Sequence, residues 1–343
     1  MWVCPPLSFV PALLHLIHPG FNRLVLMKLL ASLFLAAATA AAACDDDKPT
    51  IIIGVAQQSS KKPAGEYIAA SYVKWLETAG ARVVPIPYHM DEDALRERLE
   101  QLNGLVFPGG SAGLTATGRA MYALAKEFND DGIYFPLWGT CLGYEWMLKI
   151  ESDENAILDS MDAWNISSVL AFQGDAVTES RLFGSGGDSY AALADHAYTM
   201  NNHRHGIFLD HWESTDALTA AFNVLATSDD REGATYVAAI EGTAYPFYGV
   251  QFHPEKNEFE RGVRPNGQPY EAIDHSDEAI SIARDLAAFF VAEASKNNRT
   301  WTLETPPDWI NDYPTTTAKA PGFELAYMFP SSTESLEDED EDE

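Results

Sequence analysis

Cysteine is scarce in this chain of 343 residues. The only three are Cys4, Cys44 and Cys141, and the first two lie near the amino terminus. So few cysteines exclude a disulfide framework, and they also exclude a zinc site built from CxxC pairs. The main body of the chain is left with a single thiol, that of Cys141.

Basic residues are also scarce. Lys and Arg number 22 against 51 Asp and Glu, which gives a formal net charge of -29. A nucleic-acid or anionic-membrane partner needs a basic face, so this charge balance argues against both. The chain ends in SLEDEDEDE, a run of like charges that repels itself and predicts a disordered, solvated tail.

The apolar run near the amino terminus is too short to span a bilayer comfortably. From Met27 the chain runs MKLLASLFLAAATAAAAC, with one positive residue at Lys28 and small residues suited to a signal peptidase at 41–43. This pattern predicts a signal peptide region over residues 1–43, with Met27 as the true start and a mature chain that begins near Cys44. An uncleaved signal anchor is the alternative.

Two N-glycosylation sequons fit passage through the secretory pathway: Asn165-Ile166-Ser167 and Asn298-Arg299-Thr300. Together with the signal region they predict a protein that is extracellular or lies in the lysosome or vacuole. No stable membrane association is expected after the signal is cleaved. Sequons also arise by chance, so the signal region is the main support for this prediction.

Short apolar runs alternate with amphipathic segments through the first half of the mature chain. The runs predict strands at 50–57, 82–86, 104–107 and 133–138. The amphipathic segments predict helices at 65–79, 91–102 and 117–128. This alternation predicts an α/β fold with a mostly parallel central sheet and helices on both faces. Reactive side chains in such a sheet gather at the carboxyl ends of the strands.

The middle of the chain, residues 151–220, shows less regular patterning. The segment FGSGGDSY has no Lys or Ser/Thr at phosphate-loop positions, so we interpret it as a plain loop. Order returns with three strand-like runs and a long amphipathic helix, at 222–227, 235–241, 246–252 and 277–296.

The carboxyl-terminal part differs in composition from the rest. The Pro- and Thr-rich segment 305–317 indicates a wrapping extension rather than a linker to another domain. We therefore expect one domain over residues 44–304, followed by the extension and the disordered acidic tail over 305–343.

The surroundings of Cys141 predict a nucleophile elbow. An apolar run ends at Trp138, a Gly-Thr-Cys-Leu-Gly turn follows, and a helical pattern begins at Tyr144. Gly139 and Gly143 suit such a turn, because the backbone at its apex is strained and neighbouring side chains would crowd the helix against the strand. A helix that starts just after the sulfur favours the thiolate. The alternative is a buried structural cysteine.

A cysteine nucleophile needs a base, and the base needs an orienting group. The strand YGVQF ends directly in His253-Pro254-Glu255. Pro254 stops the strand and restricts His253 to extended geometry, so the imidazole projects from a strand end. Glu255 points to the same side and can accept the second ring N–H. Cys141, His253 and Glu255 are therefore the candidate catalytic residues.

The pairing of GTCLG with YGVQFHPE resembles the class I glutamine amidotransferase superfamily. Within it, the strings IAASYVKWLETAGARVVPI, NGLVFPGGSAGL, YFPLWGTCLGYEWM and YGVQFHPEKNEFE are similar to the gamma-glutamyl hydrolase family. The similarity spans roughly residues 50–300. It implies a flavodoxin-like three-layer sandwich and a triad of Cys141 as nucleophile, His253 as general base and Glu255 as orienting carboxylate.

The resemblance also implies the remaining site residues. It points to Tyr72, Glu145, His203 and Lys256 on the substrate side. The oxyanion of the tetrahedral intermediate is expected at the backbone N–H groups of Leu142 and Gly110. His203 lies in NNHRHG, but a metal site at His203, His205 and His211 is not expected, because the cysteine mechanism needs no metal and the spacing is nonspecific.

The function implied is cysteine-dependent hydrolysis of γ-glutamyl amide bonds through a thioester, most directly in folate poly-γ-glutamates. No cofactor is expected, and the resemblance points to a homodimer. Two alternatives stay open: another class I glutaminase-type amide hydrolase of the secretory pathway, and a noncatalytic binding or storage protein that retains the fold. An intact Cys-His-Glu set argues against the second alternative.

Overall fold

The structure is a computed structural model of the chain. It describes residues 49–61, 64–184, 186, 188–317 and 323–332. The expected signal region over 1–43 and the run of acidic residues that ends the chain lie outside the described residues.

The described residues form fourteen strands, labelled in chain order: β1 (Ile51–Ala56), β2 (Gln58–Lys61), β3 (Ala64–Ala69), β4 (Ala81–Ile86), β5 (Gly104–Phe107), β6 (Leu137–Thr140), β7 (Asp159–Ser168), β8 (Ala171–Phe172), β9 (Thr199–Gly206), β10 (Phe222–Asp229), β11 (Thr235–Gly242), β12 (Phe247–Val250), β13 (Thr315–Thr317) and β14 (Leu325–Phe329). Eight of them make one sheet in the order β4-β1-β5-β6-β12-β11-β10-β8. The strands from β4 to β12 in this order pair in parallel, and the last three pair antiparallel. The central sheet is therefore mostly parallel, as predicted.

The α-helices of the same residues are α1 (Ala70–Thr78), α2 (Glu92–Leu99), α3 (Ala116–Asp130), α4 (Leu142–Ser152), α5 (Ala176–Glu179), α6 (Arg181–Gly184), α7 (Asp188–Asp195), α8 (Leu209–Glu213), α9 (Asp216–Ala221), α10 (Lys256–Phe259) and α11 (Asp277–Ala294). A 3₁₀ turn covers Ile310–Asp312. Asp91 caps α2, because its side chain accepts hydrogen bonds from the N–H groups of Asp93 and Ala94.

Helices cover both faces of the central sheet. Successive residues of β1 point to opposite faces, as strand geometry requires. Ile53 packs in one hydrophobic cluster with side chains of α1 and α11, and Ile52 packs in another with side chains of α2, α3 and α4. This arrangement confirms the predicted three-layer α/β sandwich.

Two element boundaries differ from the sequence prediction. Residues 65–69, expected in the first helix, belong to β3, and α1 begins only at Ala70. Pairing of β3 with the adjacent strand β2 and with the distant strand β14 decides this, since hydrogen bonds between strands override the local apolar spacing. The strand that leads to Cys141 is also shorter than expected and begins at Leu137.

A second sheet joins the two ends of the described chain. Its order is β13-β14-β3-β2, so the carboxyl-terminal strand β14 pairs antiparallel with β3. Ser332 adds to this contact, since its backbone N–H donates to the Glu66 carboxylate at 2.6 Å. The segment expected as a wrapping extension thus contributes two strands beside the amino-terminal hairpin.

Candidate active site

Three neighbouring strands, β5, β6 and β12, end at the same edge of the central sheet. Phe107 is in register with Gly139, and Gly139 with Gly249. The Cys141 N–H then donates to the Val250 carbonyl at 2.9 Å, beyond the last paired residues. This edge brings together the loop after Phe107, the cysteine and the segment that carries His253.

The backbone at Cys141 has the strained geometry predicted for a nucleophile elbow. Its φ of 51° lies in the left-handed region, which residues other than glycine rarely adopt. A Cβ at Gly143 would lie 2.0 Å from the Phe107 carbonyl oxygen, and one at Gly139 would lie 2.6 Å from the Met147 sulfur. The helix can therefore approach the strands this closely only with glycine at both positions.

His253 is held in place by two hydrogen bonds, one from its side chain and one from its backbone. Its Nδ1–H donates to Glu255 Oε1 at 2.7 Å, and its backbone N–H donates to the Met200 carbonyl at 2.8 Å. Glu255 is completely buried and His253 is 4% exposed. The carboxylate thus fixes the tautomer that leaves Nε2 without the proton, which is the form a general base needs.

The cysteine and the histidine approach the same point above Gly109. A Cβ built there would lie 2.8 Å from His253 Cε1 and 3.3 Å from Cys141 Cβ. Tyr72 joins them, because its hydroxyl accepts the Gly109 N–H at 2.8 Å and lies 3.3 Å from His253 Nδ1. Gly109 therefore leaves the space in which a reacting carbonyl could meet both side chains.

The pKa of the Cys141 thiol is raised well above its ordinary value. Burial is the largest cause, and the charge of Glu145 acts in the same direction. The charge of Lys256 and the Leu142 N–H lower this pKa but do not outweigh the other two. The helix start acts as the sequence predicts, because the Leu142 N–H lowers the pKa, but burial and the charges of Glu145 and Glu255 raise it by more.

Glu145 links the helix after the cysteine to the strand before the histidine. Its Oε1 accepts the side-chain N–H of Gln251 at 3.0 Å. Burial raises the pKa of Glu145 to about 7, although the hydrogen bond from Gln251 lowers it. At neutral pH this carboxyl is therefore poised between its neutral and its charged form beside the sulfur.

His203 lies in β9, the strand whose Met200 carbonyl holds His253. Its Nδ1–H donates to the His205 carbonyl at 2.9 Å, and its ring packs edge-on against Tyr236. Burial lowers the pKa of His203 to about 3, so the ring is neutral at physiological pH. The charge of His253 lowers this pKa further, which indicates that the two imidazoles lie close together.

Lys256 is in the site, but its ammonium already has a partner. The side chain is 1% exposed, and Nζ donates to Glu271 Oε1 at 2.7 Å. Nζ also lies 5.3 Å from the centre of the Phe323 ring. The described contacts of Lys256 are therefore with the protein, and its charge acts on the site mainly by lowering the pKa of Cys141.

The two expected oxyanion donors flank the cysteine. Leu142 begins α4, and its N–H is directed at the sulfur, since it lowers the thiol pKa. Gly110 follows Gly109 in the loop after β5 and packs against the side chain of Gln58. The structure thus brings all nine predicted site residues to one edge of the sheet; their chemical roles stay predictions.

Three further residues near the site had no recognisable signal in the sequence: Gln58, Tyr67 and Phe323. Burial raises the pKa of Tyr67 to about 12, and the charge of the Cys141 thiolate acts in the same direction. The rings of Tyr67 and Phe323 lie 6.0 Å apart. The alternation of β3 could have identified Tyr67, whereas Phe323 follows the triad by some seventy positions and has no local motif.

No group of three or more His, Cys, Asp and Glu side chains among the described residues could hold a metal ion. None of the helices described above combines the length and the apolar character needed to cross a membrane.

Comparison with known proteins places the chain among characterised sequences. The family described as glutamine amidotransferase class-I matches residues 65–265. Gamma-glutamyl hydrolase B of Dictyostelium discoideum is 34% identical over 281 residues, which cover 79% of this chain and 79% of that protein. Gamma-glutamyl hydrolase of Homo sapiens is 36% identical over 272 residues, which cover 77% of this chain and 83% of that protein. A solved glutamine amido transferase from Methylobacillus flagellatus is 14% identical, with a TM-score of 0.41 over 76% of this chain and 98% of that one.

Proposed function

The chain belongs to the gamma-glutamyl hydrolase family of class-I glutamine amidotransferases, and from this premise we propose that it hydrolyses γ-glutamyl amide bonds with Cys141 as nucleophile. The observation that carries the proposal is the approach of Cys141 and a Glu255-bound His253 to one point above Gly109. A thiol, a base and an orienting carboxylate in this order are what nucleophilic acyl transfer requires.

The first half of the reaction forms a thioester. His253 Nε2 accepts the thiol proton as the sulfur attacks the γ-amide carbonyl, and the backbone N–H groups of Leu142 and Gly110 bind the resulting oxyanion. The imidazolium is stabilised by Glu255, which accepts its Nδ1–H. His253 then gives the proton to the leaving amine, and the carbon–nitrogen bond breaks.

The second half regenerates the thiol. Water loses a proton to His253 and attacks the thioester carbonyl, and the returning proton goes to the sulfur as it leaves. Since burial keeps the resting sulfur protonated, His253 must accept a proton in each half. Apart from the attacking water, the groups used in these steps belong to the protein and the substrate.

The proposed substrates are folate poly-γ-glutamates, in keeping with the similarity of the site strings to the gamma-glutamyl hydrolase family. Such a substrate is a polyanion, and the protein carries a formal charge of -29, so attraction at long range does not assist binding. Recognition must therefore come from short-range contacts to the γ-glutamyl residue whose amide bond is cleaved. These contacts lie around Cys141, at the buried edge of the central sheet.

The test is product analysis with pteroylpentaglutamate and, in parallel, with free glutamine. We expect the wild type to shorten the pentaglutamate, and Cys141→Ala to lose about 10⁴-fold or more of the turnover. His253→Ala removes the proposed general base. His205→Ala is its matched control, because it removes an exposed imidazole of β9. Wild-type activity in Cys141→Ala would refute the mechanism. If the protein hydrolysed glutamine but not the pentaglutamate, its substrate would be that of a glutaminase and the proposed substrate would be wrong.

We also propose that the protein passes through the secretory pathway. The signal region lies outside the described residues, but the two sequons differ in a way that supports a sharper expectation. Asn298 is exposed, whereas Asn165 is partly buried and its Oδ1 accepts the Ala272 N–H at 2.6 Å. A glycan is therefore expected at Asn298 rather than at Asn165. The homodimer implied by the resemblance stays a prediction.

A further inference from the structure

Gln58 is a buried amide without a hydrogen-bond partner. It is the first residue of β2, and its side chain is 1% exposed. Neither Oε1 nor Nε2 has a partner among the described residues. A buried polar group left unpaired destabilises the folded state, so an apolar side chain of similar shape would serve packing better.

The unpaired amide lies against one of the two proposed oxyanion donors. A Cβ on Gly110 would lie 2.7 Å from Gln58 Oε1 and 3.1 Å from Gln58 Cδ. No side chain could therefore stand between the amide and the backbone of Gly110. The Gln58 amide therefore lies directly against the backbone of Gly110, whose N–H is one of the proposed oxyanion donors.

The strand pairing turns Gln58 toward the nucleophile. Gln58 is directly opposite Tyr67 in the antiparallel pair of β2 and β3, and directly opposite residues share one face. Ile68 points to the other face and is fully buried in the hydrophobic core. On the face of Gln58, Gly110 directly follows Gly109, and a Cβ at Gly109 would lie 3.3 Å from Cys141 Cβ. Gln58 therefore lies beside the loop that faces the cysteine.

From these contacts we propose that Gln58 is a third oxyanion donor, whose side-chain N–H groups act beside the N–H groups of Gly110 and Leu142 on the tetrahedral intermediate. The proposal rests on the proposed function, because it concerns the same reaction. A neutral carboxamide suits this role, since it offers two donors without a charge that would bind the ground-state carboxylates of the substrate.

The unpaired state of the Gln58 amide in the resting site suits it to bind the oxyanion. Because neither amide atom is bound, the amide can present Nε2 in place of Oε1 by a half rotation that breaks no hydrogen bond. The donor then gains a partner only when negative charge develops on the carbonyl oxygen. An interaction that is made in the transition state and not in the ground state raises kcat rather than lowering KM.

The experiment measures activity and stability of Gln58→Leu together. We expect kcat to fall by roughly 10²–10³-fold, with KM nearly unchanged, as for loss of one side-chain oxyanion donor elsewhere. We expect the melting temperature to stay the same or rise, because the substitution removes two unpaired buried atoms. Gln57→Leu is the matched control, one position earlier in the chain, and should keep kcat.

A purely structural Gln58 would behave differently. If Gln58→Leu unfolds, or melts at a lower temperature in proportion to its loss of activity, the amide serves packing and the proposal is wrong. It is also wrong if kcat stays within about 3-fold of the wild type, since a donor is worth more than that. Cys141→Ala measured beside it separates the two claims: an inactive Cys141→Ala with a fully active Gln58→Leu overturns only the role of Gln58.

Discussion

At the scale of single residues, the sulfur of Cys141 is under opposing influences. Burial and the charge of Glu145 raise its pKa, and the charge of Lys256 and the Leu142 N–H lower it. The balance leaves a protonated thiol at rest, which is less open to oxidation than a thiolate. In the proposed mechanism, reactivity then depends on proton transfer to His253 at the moment of attack rather than on a thiolate that exists beforehand.

Replacing Glu145 with Gln should lower the pKa of the Cys141 thiol. The carboxyl, with its own pKa near 7, is ionised throughout the range in which the thiol titrates, and Gln removes that charge but can still accept the hydrogen bond from Gln251. The pH profile of Cys141 alkylation by iodoacetamide, followed by mass spectrometry of its peptide, should therefore shift to lower pH. Glu151→Gln, farther along the same helix, is the control and should leave the profile in place. An unchanged profile in Glu145→Gln would mean that Glu145 does not act on the sulfur.

At the scale of elements, the site depends on a sheet made from distant parts of the chain. The β2–β3 hairpin carries Gln58 and Tyr67, and β14 supports it from the other side through four paired residues. Glu66 fastens the same strand, because its carboxylate accepts N–H groups of both Tyr88 and Ser332. Strand β14 therefore holds the hairpin that carries Gln58 and Tyr67 in place.

Removal of residues 323–343 should impair both stability and turnover. The truncation exposes an edge of β3 and frees the carboxylate of Glu66, so the hairpin beside Cys141 loses its fixed position. We expect kcat/KM to fall about 10-fold or more, because small misplacements of groups around a reacting centre have effects of that size or larger. Removal of residues 333–343 alone leaves every described contact in place and should change neither quantity. Equal activity in the two truncated chains would show that β14 is dispensable for the site.

At the scale of the whole molecule, acidic character dominates, with 51 Asp and Glu in the chain. Two of these carboxyls are buried with unusual pKa values, since burial raises the pKa of Glu145 to about 7 and that of Glu260 to about 7. A raised pKa in the folded state means that folding binds protons between the unfolded and the folded values. The contribution of each group to stability is complete below the unfolded pKa and is lost as pH rises through 7.

The protein should therefore be more stable at about pH 5.5 than at about pH 8. His203 opposes this trend, because burial lowers its pKa to about 3, and its contribution is lost as pH falls below its ordinary value. Since two carboxyls favour the acidic side and one imidazole opposes them, the net effect is greater stability at acidic pH. Weaker mutual repulsion of the surface carboxylates at acidic pH adds to this effect. Melting temperatures over this range test the prediction. In the double variant Glu145→Gln with Glu260→Gln the difference should vanish or change sign, and a wild type that melts higher at about pH 8 would contradict it.

The sequence by itself determined the features that are encoded locally. Alternating apolar and amphipathic segments specify strands and helices, because side-chain periodicity follows directly from backbone geometry. Glycines around Cys141 specify an elbow, because a Cβ at either position would clash with the helix or the strand, and the proline after His253 specifies a strand end, because it cannot donate a hydrogen bond to the sheet. The α/β class could therefore be predicted and is confirmed, and the structure has the expected hydrogen bond between His253 and Glu255, whose catalytic roles stay predictions.

Only the tertiary structure decided which distant residues meet. The pairing of β6 with β12 sets Cys141 beside the segment of His253, and the pairing of β3 with β14 turned residues 65–69 from an expected helix into a strand. The raised thiol pKa and the unpaired amide of Gln58 likewise follow from burial, which is a property of the assembled fold. Hydrogen bonds between strands and the exclusion of water depend on neighbours hundreds of positions away, and no local pattern in the chain specifies them.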